Sequence, residues 1–362
     1  MAALSAVGVS RFAGVPRAFA GALLAALLAL CAYGSSIPAP PPSTPVKGPI
    51  TSDAALYRAI AARVAAGEGY YRAAAAEQRA HQYPLKPFVT MRLPTLAWAS
   101  AALGPALTPV ALRLLALAAF AALLWRLRHR AGSSPAGVAA ALLAAAALTP
   151  LTQAAFAPWH EIWAGCLVLL ALACRGDRRW GASVVLGLLA VLVRELAMPL
   201  LVAMAIAATI ERRRGEALAW SGAILLAGAA ILFHARAVAA VVLPGDLSSP
   251  GWASAGGWGF DLRVAHATSL FGILPYRSVA VLVPLAVLGW AGLRGGLGPR
   301  VLLTLGGWLG AFMIIGRPDN FYWGLLFAPL LPIGLAFAPA ALRDLIAALA
   351  QPRPCSEDRA PA

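Results

Sequence analysis

Apolar positions in this chain fall in long unbroken blocks, with polar residues gathered between them. Blocks of that length predict buried or membrane-crossing helices rather than strands. The first covers residues 18–32 behind Arg11 and Arg17. Because many more follow, it is read as a retained helix and not a cleaved leader. A second block, 107–125, ends in Arg126, Arg128 and Arg130. Residues 136–174 are too many for one crossing. Pro150, Pro158 and the polar Trp159-His160-Glu161 divide them into two helices. As one helix, residues 181–210 would span about 45 Å, against a hydrocarbon core of about 30 Å. That helix would also carry Arg178 and Arg212 to opposite sides of a membrane. Two short helices meeting at Arg194-Glu195 keep both basic clusters on one side. Further blocks at 217–233, 278–293, 301–315 and 325–339 complete about ten crossings.

The longer segments between blocks carry weaker patterns. After a Pro-rich stretch, Pro38 to Pro49, the trio Thr51-Ser52-Asp53 is a helix-start signal. Leu56, Ile60 and Val64 then recur every fourth residue, predicting an amphipathic helix on the membrane surface that ends near Gly67 to Tyr71. Residues 93–103 predict a second interfacial segment. The expected organisation is one all-α polytopic membrane domain over residues 1–345. Its first outer loop covers 37–106, its second large outer loop 234–276, and a polar cytoplasmic tail 346–362. Glycines between Gly251 and Gly259 mark the second loop as a loop or a lid.

Composition agrees with this pattern. Apolar residues make up 61% of 362 positions and charged residues 12%, with a mean hydropathy of +0.77. A soluble domain is about 45–50% apolar and about 25% charged, so a water-soluble enzyme and a disordered chain are excluded. The net charge of +15 would suggest nucleic acid in a soluble protein. Here more than half of the basic residues fall in short loops and tails, where arginine fixes topology and meets lipid headgroups. The expected partners therefore include membrane lipids and no nucleic acid. That charge distribution predicts cytoplasmic termini in a bacterial inner membrane. Cys31, Cys166, Cys174 and Cys355 form no disulfide or zinc pattern.

Candidate chemistry collects on the opposite, outer side. Eight of fourteen acids map there: Asp53, Glu68, Glu77, Glu161, Glu195, Asp246, Asp261 and Asp319. Arg92, Arg194 and Arg317 lie at similar depth, and Lys86 is close in sequence. Charge beside a membrane helix is expensive and marks function. A carboxylate that activates a hydroxyl, with arginines holding a phosphate, suits this mixture. His160, His234 and His266 lack metal-ligand spacing, so no metal site or cofactor is expected, and no motif supports a divalent cation. Without a nucleotide-binding loop, a sugar donor at this face would have to be carried on lipid.

The elements Ser52-Asp53, Leu56-Tyr57 and Ala59-Ile60, followed by Gly67 and Gly69-Tyr70-Tyr71, resemble the first outer loop of the GT-C superfamily of polytopic glycosyltransferases. So do Arg92-x-Pro94, the Trp159-His160-Glu161 turn and the paired short helices at Arg194-Glu195. The resemblance covers residues 15–200 and is nearest to bacterial mannosyltransferase-like members. It implies a polyprenyl-phosphate-linked sugar as donor and a lipid or glycan hydroxyl as acceptor, outside the cytoplasm. It implies Asp53 as general base, and supports Tyr57, Lys86, Arg92, His160, Glu161, Arg194 and Glu195 as substrate-binding residues; Arg317 and Asp319, beyond its reach, are added as candidates from their place in a short outer turn. Many members show two acids where this chain has Asp53 alone, which argues against metal dependence. Two alternatives have other signatures. A transporter or lipid flippase would carry charge at mid-membrane, where this chain has Arg113, and a noncatalytic partner in envelope glycan assembly would not depend on Asp53.

Overall fold

A computed structural model describes residues 10–39, 53–131 and 134–351. Thr51, Ser52, most of the Pro-rich stretch, Cys355 and the end of the tail lie outside the described residues. Among the described residues there is no strand, only one isolated bridge between Lys86 and Ser248. Thirteen α-helices account for most of the chain. They are α1 (Arg17–Ser36), α2 (Asp53–Ala65), α3 (Tyr70–Ala80), α4 (Thr95–Ala131), α5 (Pro135–Leu151), α6 (His160–Cys174) and α7 (Gly181–Val193). Then come α8 (Met198–Ile210), α9 (Arg214–Ala239), α10 (Gly257–Thr268), α11 (Val279–Gly292), α12 (Leu297–Ile314) and α13 (Ala338–Ala350). Four stretches are long and apolar enough to cross a membrane: Arg17–Ser36, Phe88–Arg128, Arg214–Ala239 and Leu297–Ile314.

The predicted separation of residues 93–103 from 107–125 is present at Gly104, where non-helical backbone divides α4 into two helical pieces. Gly104 has φ +74°, a conformation open to glycine, and Pro105 and Pro109 follow it. Several other elements depart from the sequence pattern for identifiable reasons. The first loop holds a second helix, α3, whose apolar content was too low to signal it; alanines 73, 74 and 75 are buried all the same. Residues 234–276 are not an open loop: α10 lies within them and buries Trp258, Phe260, Leu262 and Val264. Asp261, expected on the outer face, is fully buried in that helix. Residues 325–339 do not form one straight helix. Tight 3-10 turns occupy Pro318–Leu326 and Leu331–Ala336 before α13. Pro329, Pro332 and Pro339 each remove a backbone donor, which prevents a continuous α-helix. The break at 194 is as the sequence pattern predicts: α7 ends at Val193 and a short turn, Glu195–Ala197, leads into α8.

One end of the bundle is tied by charge. Arg175 donates two bonds to Glu216, at 2.9 and 2.7 Å, and Arg300 donates two to Glu211, at 2.7 and 2.8 Å. Arg175, Glu216 and Arg300 are buried. This knot joins the end of α6, the end of α8, the start of α9 and the start of α12. Arg126 of α4 reaches the carbonyls of Ala173 and Arg175 at the same end. Arg11 bonds the Gly295 carbonyl at 2.9 Å there, and Arg294 bonds the Ser10 carbonyl at 2.9 Å.

Small residues set how closely the helices meet. A Cβ on Gly289 would lie 1.9 Å from the Gly334 carbonyl oxygen and 2.8 Å from the Ala338 nitrogen. Both neighbours are backbone and cannot rotate away. Gly289→Ala is therefore expected to destabilise the bundle by more than the ~1 kcal/mol that alanine gains in helix propensity, since overpacking costs ~1–3 kcal/mol or more. Gly222 of α9 has open space around it, and Gly222→Ala should be neutral or stabilising. Thermal unfolding of the two variants in the same detergent checks the contrast.

Candidate functional site

At the end of the bundle opposite the ion knot lies a cavity of about 960 Å³. Its walls come from α2, the 83–92 segment, the first part of α4, the turns at 154–160 and 194–196, the 249–252 segment and residues 315–323. Of the residues singled out in the sequence, Asp53, Tyr57, Arg92, His160, Arg194, Glu195, Arg317 and Asp319 all line it. Glu161 does not. It is fully buried behind Arg194 and acts on the cavity through that side chain. Lys86 also falls outside the wall and donates to the Pro244 carbonyl at 3.0 Å.

Local structure explains how these groups come together. In α2, Leu56 and Ile60 face inward and are buried. Asp53 and Tyr57, one turn apart, therefore share the cavity face. Arg92 precedes α4, whose start is tied to α7 by Thr95 Oγ1 donating to the Leu192 carbonyl at 2.6 Å. The backbone beside Arg92 is held from three sides. Tyr70 Oη donates to the Arg92 carbonyl, His234 Nε2 bonds the Met91 carbonyl at 3.0 Å, and Gln78 reaches the Thr90 carbonyl at 3.4 Å. His160 and Glu161 open α6, where an acid is favoured by the helix dipole. Arg194 sits in the extended break between α7 and α8.

The arginines differ in what neutralises them. Arg194 donates to Glu161 at 2.6 Å and also to Glu195, so two carboxylates bracket one guanidinium. Arg317 holds Asp319 with two bonds, at 3.1 and 2.9 Å. Arg92 has no carboxylate partner among the described residues. Its Nε donates to Tyr57 Oη at 3.0 Å and its Nη2 to Tyr322 Oη at 3.1 Å. Arg58, exposed at the rim, also lines the cavity and has no acid partner among the described residues. Burial pushes the Tyr57 phenol well above its ordinary range, against the pull of Arg92. Tyr57 therefore stays neutral and cannot compensate the Arg92 charge.

Asp53 is half-buried and accepts a hydrogen bond from Tyr83 Oη at 2.9 Å, with no arginine ion pair among the described residues. Burial, with Asp53 beside it, raises the Tyr83 phenol too, so Tyr83 remains a donor to the carboxylate. His160 is packed edge-to-face on Tyr57, with ring centroids 4.7 Å apart, and its buried Nδ1 has no partner among the described residues. Behind the polar groups, Leu96, Ala97, Ala101, Gly104, Pro105 and Pro109 form an apolar groove down the bent part of α4.

Sequence reasoning missed Arg58, Tyr83, Trp252, Tyr322 and Trp323 as wall residues. Arg58 directly follows Tyr57 in the quoted pattern, and Tyr322-Trp323 follow the outer turn Arg317 to Asn320, so adjacency was the available signal. Tyr83 had none, because α3 and the 83–92 segment carry no periodic pattern. No group of three or more His, Cys, Asp or Glu suited to a metal occurs among the described residues. The chain matches no family model, no curated protein and no solved structure.

Proposed function

We propose that this protein is a membrane glycosyltransferase. It moves a sugar from a polyprenyl phosphate to a hydroxyl acceptor at the outer face of a bacterial inner membrane. The observation that carries the reading is Arg92, a guanidinium whose partners among the described residues are all neutral (the phenols of Tyr57 and Tyr322 and the Val89 carbonyl), placed at the head of an apolar groove. An amphiphile with an anionic head and a hydrocarbon tail fits that pairing: phosphate at Arg92 and Arg58, chain along α4.

Asp53 lines the same cavity and is free of arginine. It takes the proton from the acceptor hydroxyl as that oxygen attacks the anomeric carbon. The bond from the anomeric carbon to the phosphate oxygen breaks, and polyprenyl phosphate leaves with inversion. Arg92 stabilises the negative charge that builds on the leaving phosphate. Arg194 is already neutralised by Glu161 and Glu195, so it orders the wall rather than holding a phosphate.

Ten passes belong to the same reading. Successive turns alternate between the ion-knot end, with residues 10–12, 175–180, 211–213 and 293–296, and the cavity end, with 152–160, 194–197 and 314–320. The knot end holds the arginine clusters and is assigned to the cytoplasm with both termini. Arg113, the charge that favoured a transporter, donates to the Thr152 carbonyl at 3.2 Å at the end of α5. It caps a helix rather than lining a path.

The test is turnover. Purified full-length protein in lipid nanodiscs, offered a panel of polyprenyl-phosphate hexoses and pentoses with glycan acceptors, should release polyprenyl phosphate from at least one donor. Folded protein that releases it from none would overturn the assignment and favour a transporter or an assembly partner.

A further inference from the structure

Besides Arg92 and its neighbours, the cavity is lined by a second set of polar and aromatic groups: Trp252, the Arg317–Asp319 pair and Trp323. Arg317 is neutralised by Asp319, and its Nη1 is also spent on Ser249 Oγ at 3.1 Å and the Pro250 carbonyl at 2.9 Å. It is therefore unsuited to a phosphate. The same guanidinium lies over the Trp252 ring, 6.0 Å from its centroid, which fixes that indole as a half-buried plane in the wall. The Asp319 side chain is 65% exposed and keeps lone pairs for further donors. Trp323 Nε1 is buried in the wall and has no partner among the described residues. A buried indole N–H without an acceptor is uncommon, and a ligand oxygen would satisfy it.

We propose that this shelf is the acceptor subsite and that its occupant is a ring-form sugar, so that the acceptor is a glycoside or glycan. The proposal rests on the glycosyltransferase reading. A sugar ring presents a face of C–H groups to the negative face of an aromatic plane. Its rim of hydroxyls supplies donors for Asp319 and an acceptor for Trp323 Nε1. A simple lipid alcohol or a peptide hydroxyl offers one hydroxyl and no such face.

The shelf is pre-built. Gly316 N donates to the Trp252 carbonyl at 2.8 Å, Ala255 N donates to the Ile314 carbonyl at 3.2 Å, and Ser254 Oγ bonds the Gly316 carbonyl. Gly316 has φ +111°, and a Cβ there would meet Phe260 at 2.6 Å, so glycine is required where the two segments are laced. Such rigidity lowers the ordering cost of binding.

The experiment is saturation-transfer NMR on the full-length protein in nanodiscs, with methyl hexopyranosides and methyl pentofuranosides as probes and xylitol as an open-chain control. At least one glycoside should receive saturation on its ring C–H protons, and xylitol should not. Trp252→Ala should weaken that binding about tenfold or more, while Trp252→Phe, which keeps an aromatic plane, should restore most of it. Thermal unfolding of both variants checks that they are folded. Added polyprenyl phosphate should leave the glycoside signal in place. Displacement by polyprenyl phosphate would put the sugar at the donor end and overturn the proposal. So would equal binding by wild type and a folded Trp252→Ala. A wild-type protein that turns over donor but binds no glycoside sinks the shelf alone. One that binds glycoside but turns over no donor sinks the transferase reading and the acceptor role together, leaving only a sugar site.

Discussion

Asp53→Asn is expected to lower sugar transfer about 10²–10⁴-fold, the range over which a positioned general base acts. The substitution keeps the size of the side chain and an oxygen that can accept from Tyr83 Oη, the 2.9 Å contact that fixes the carboxylate. It removes the lone pair that takes the acceptor proton. Packing around α2 rests on Leu56 and Ile60, not on Asp53, so expression and thermal stability should match wild type. Binding of polyprenyl phosphate, which depends on Arg92, should also persist. The measurement is the initial rate of polyprenyl phosphate release, alongside a melting curve. A folded Asp53→Asn protein with wild-type turnover would falsify the general-base role.

Arg92→Gln carries the second large expectation. A hydrogen bond to a charged group contributes about 1.5–3 kcal/mol, which corresponds to about 10–150-fold in affinity. Here the cation has no acid partner among the described residues, and its release from the wall leaves only the phenols of Tyr57 and Tyr322 to face a phosphate. The donor KM should therefore rise by that factor, and kcat should fall as well, because the leaving phosphate gains charge in the transition state. Arg92→Lys is expected to recover little. A lysine cannot reproduce the planar fork that bridges Tyr57 and Tyr322. Titration of polyprenyl phosphate, followed by donor kinetics, reads both effects. Equal donor KM in wild type and Arg92→Gln would move the phosphate elsewhere in the cavity.

Much of the helical content was legible because bilayer-scale apolar blocks override local detail. The split at Arg194-Glu195 followed from length and charge alone, and α7 and α8 break there. Where the pattern misled, backbone chemistry was responsible. The prolines after Trp323 divided a predicted crossing into tight turns. Helix α10 was hidden because Gly251 to Gly259 resembles a loop in composition, although the next turns bury Phe260 and Leu262.

For the candidate site, the residue types were legible and their pairings were not. By itself, the sequence determined that this chain is apolar, helical and polarised, with arginine clusters at some turns and mixed acids and arginines at others. Hydropathy and charge are properties of composition and order, and a bilayer sorts them whatever the packing. Only the tertiary structure decided that Glu161 and Glu195 neutralise Arg194, that Asp319 neutralises Arg317, and that Arg92 meets only neutral partners among the described residues. The Glu161–Arg194 pair and the Arg92 contacts join residues 33 to 230 positions apart, which meet when the bundle packs, whereas Glu195 and Asp319 lie one and two positions from their arginines. Coulombic pairing falls off within a few ångströms, so no spacing along the chain can stand in for it.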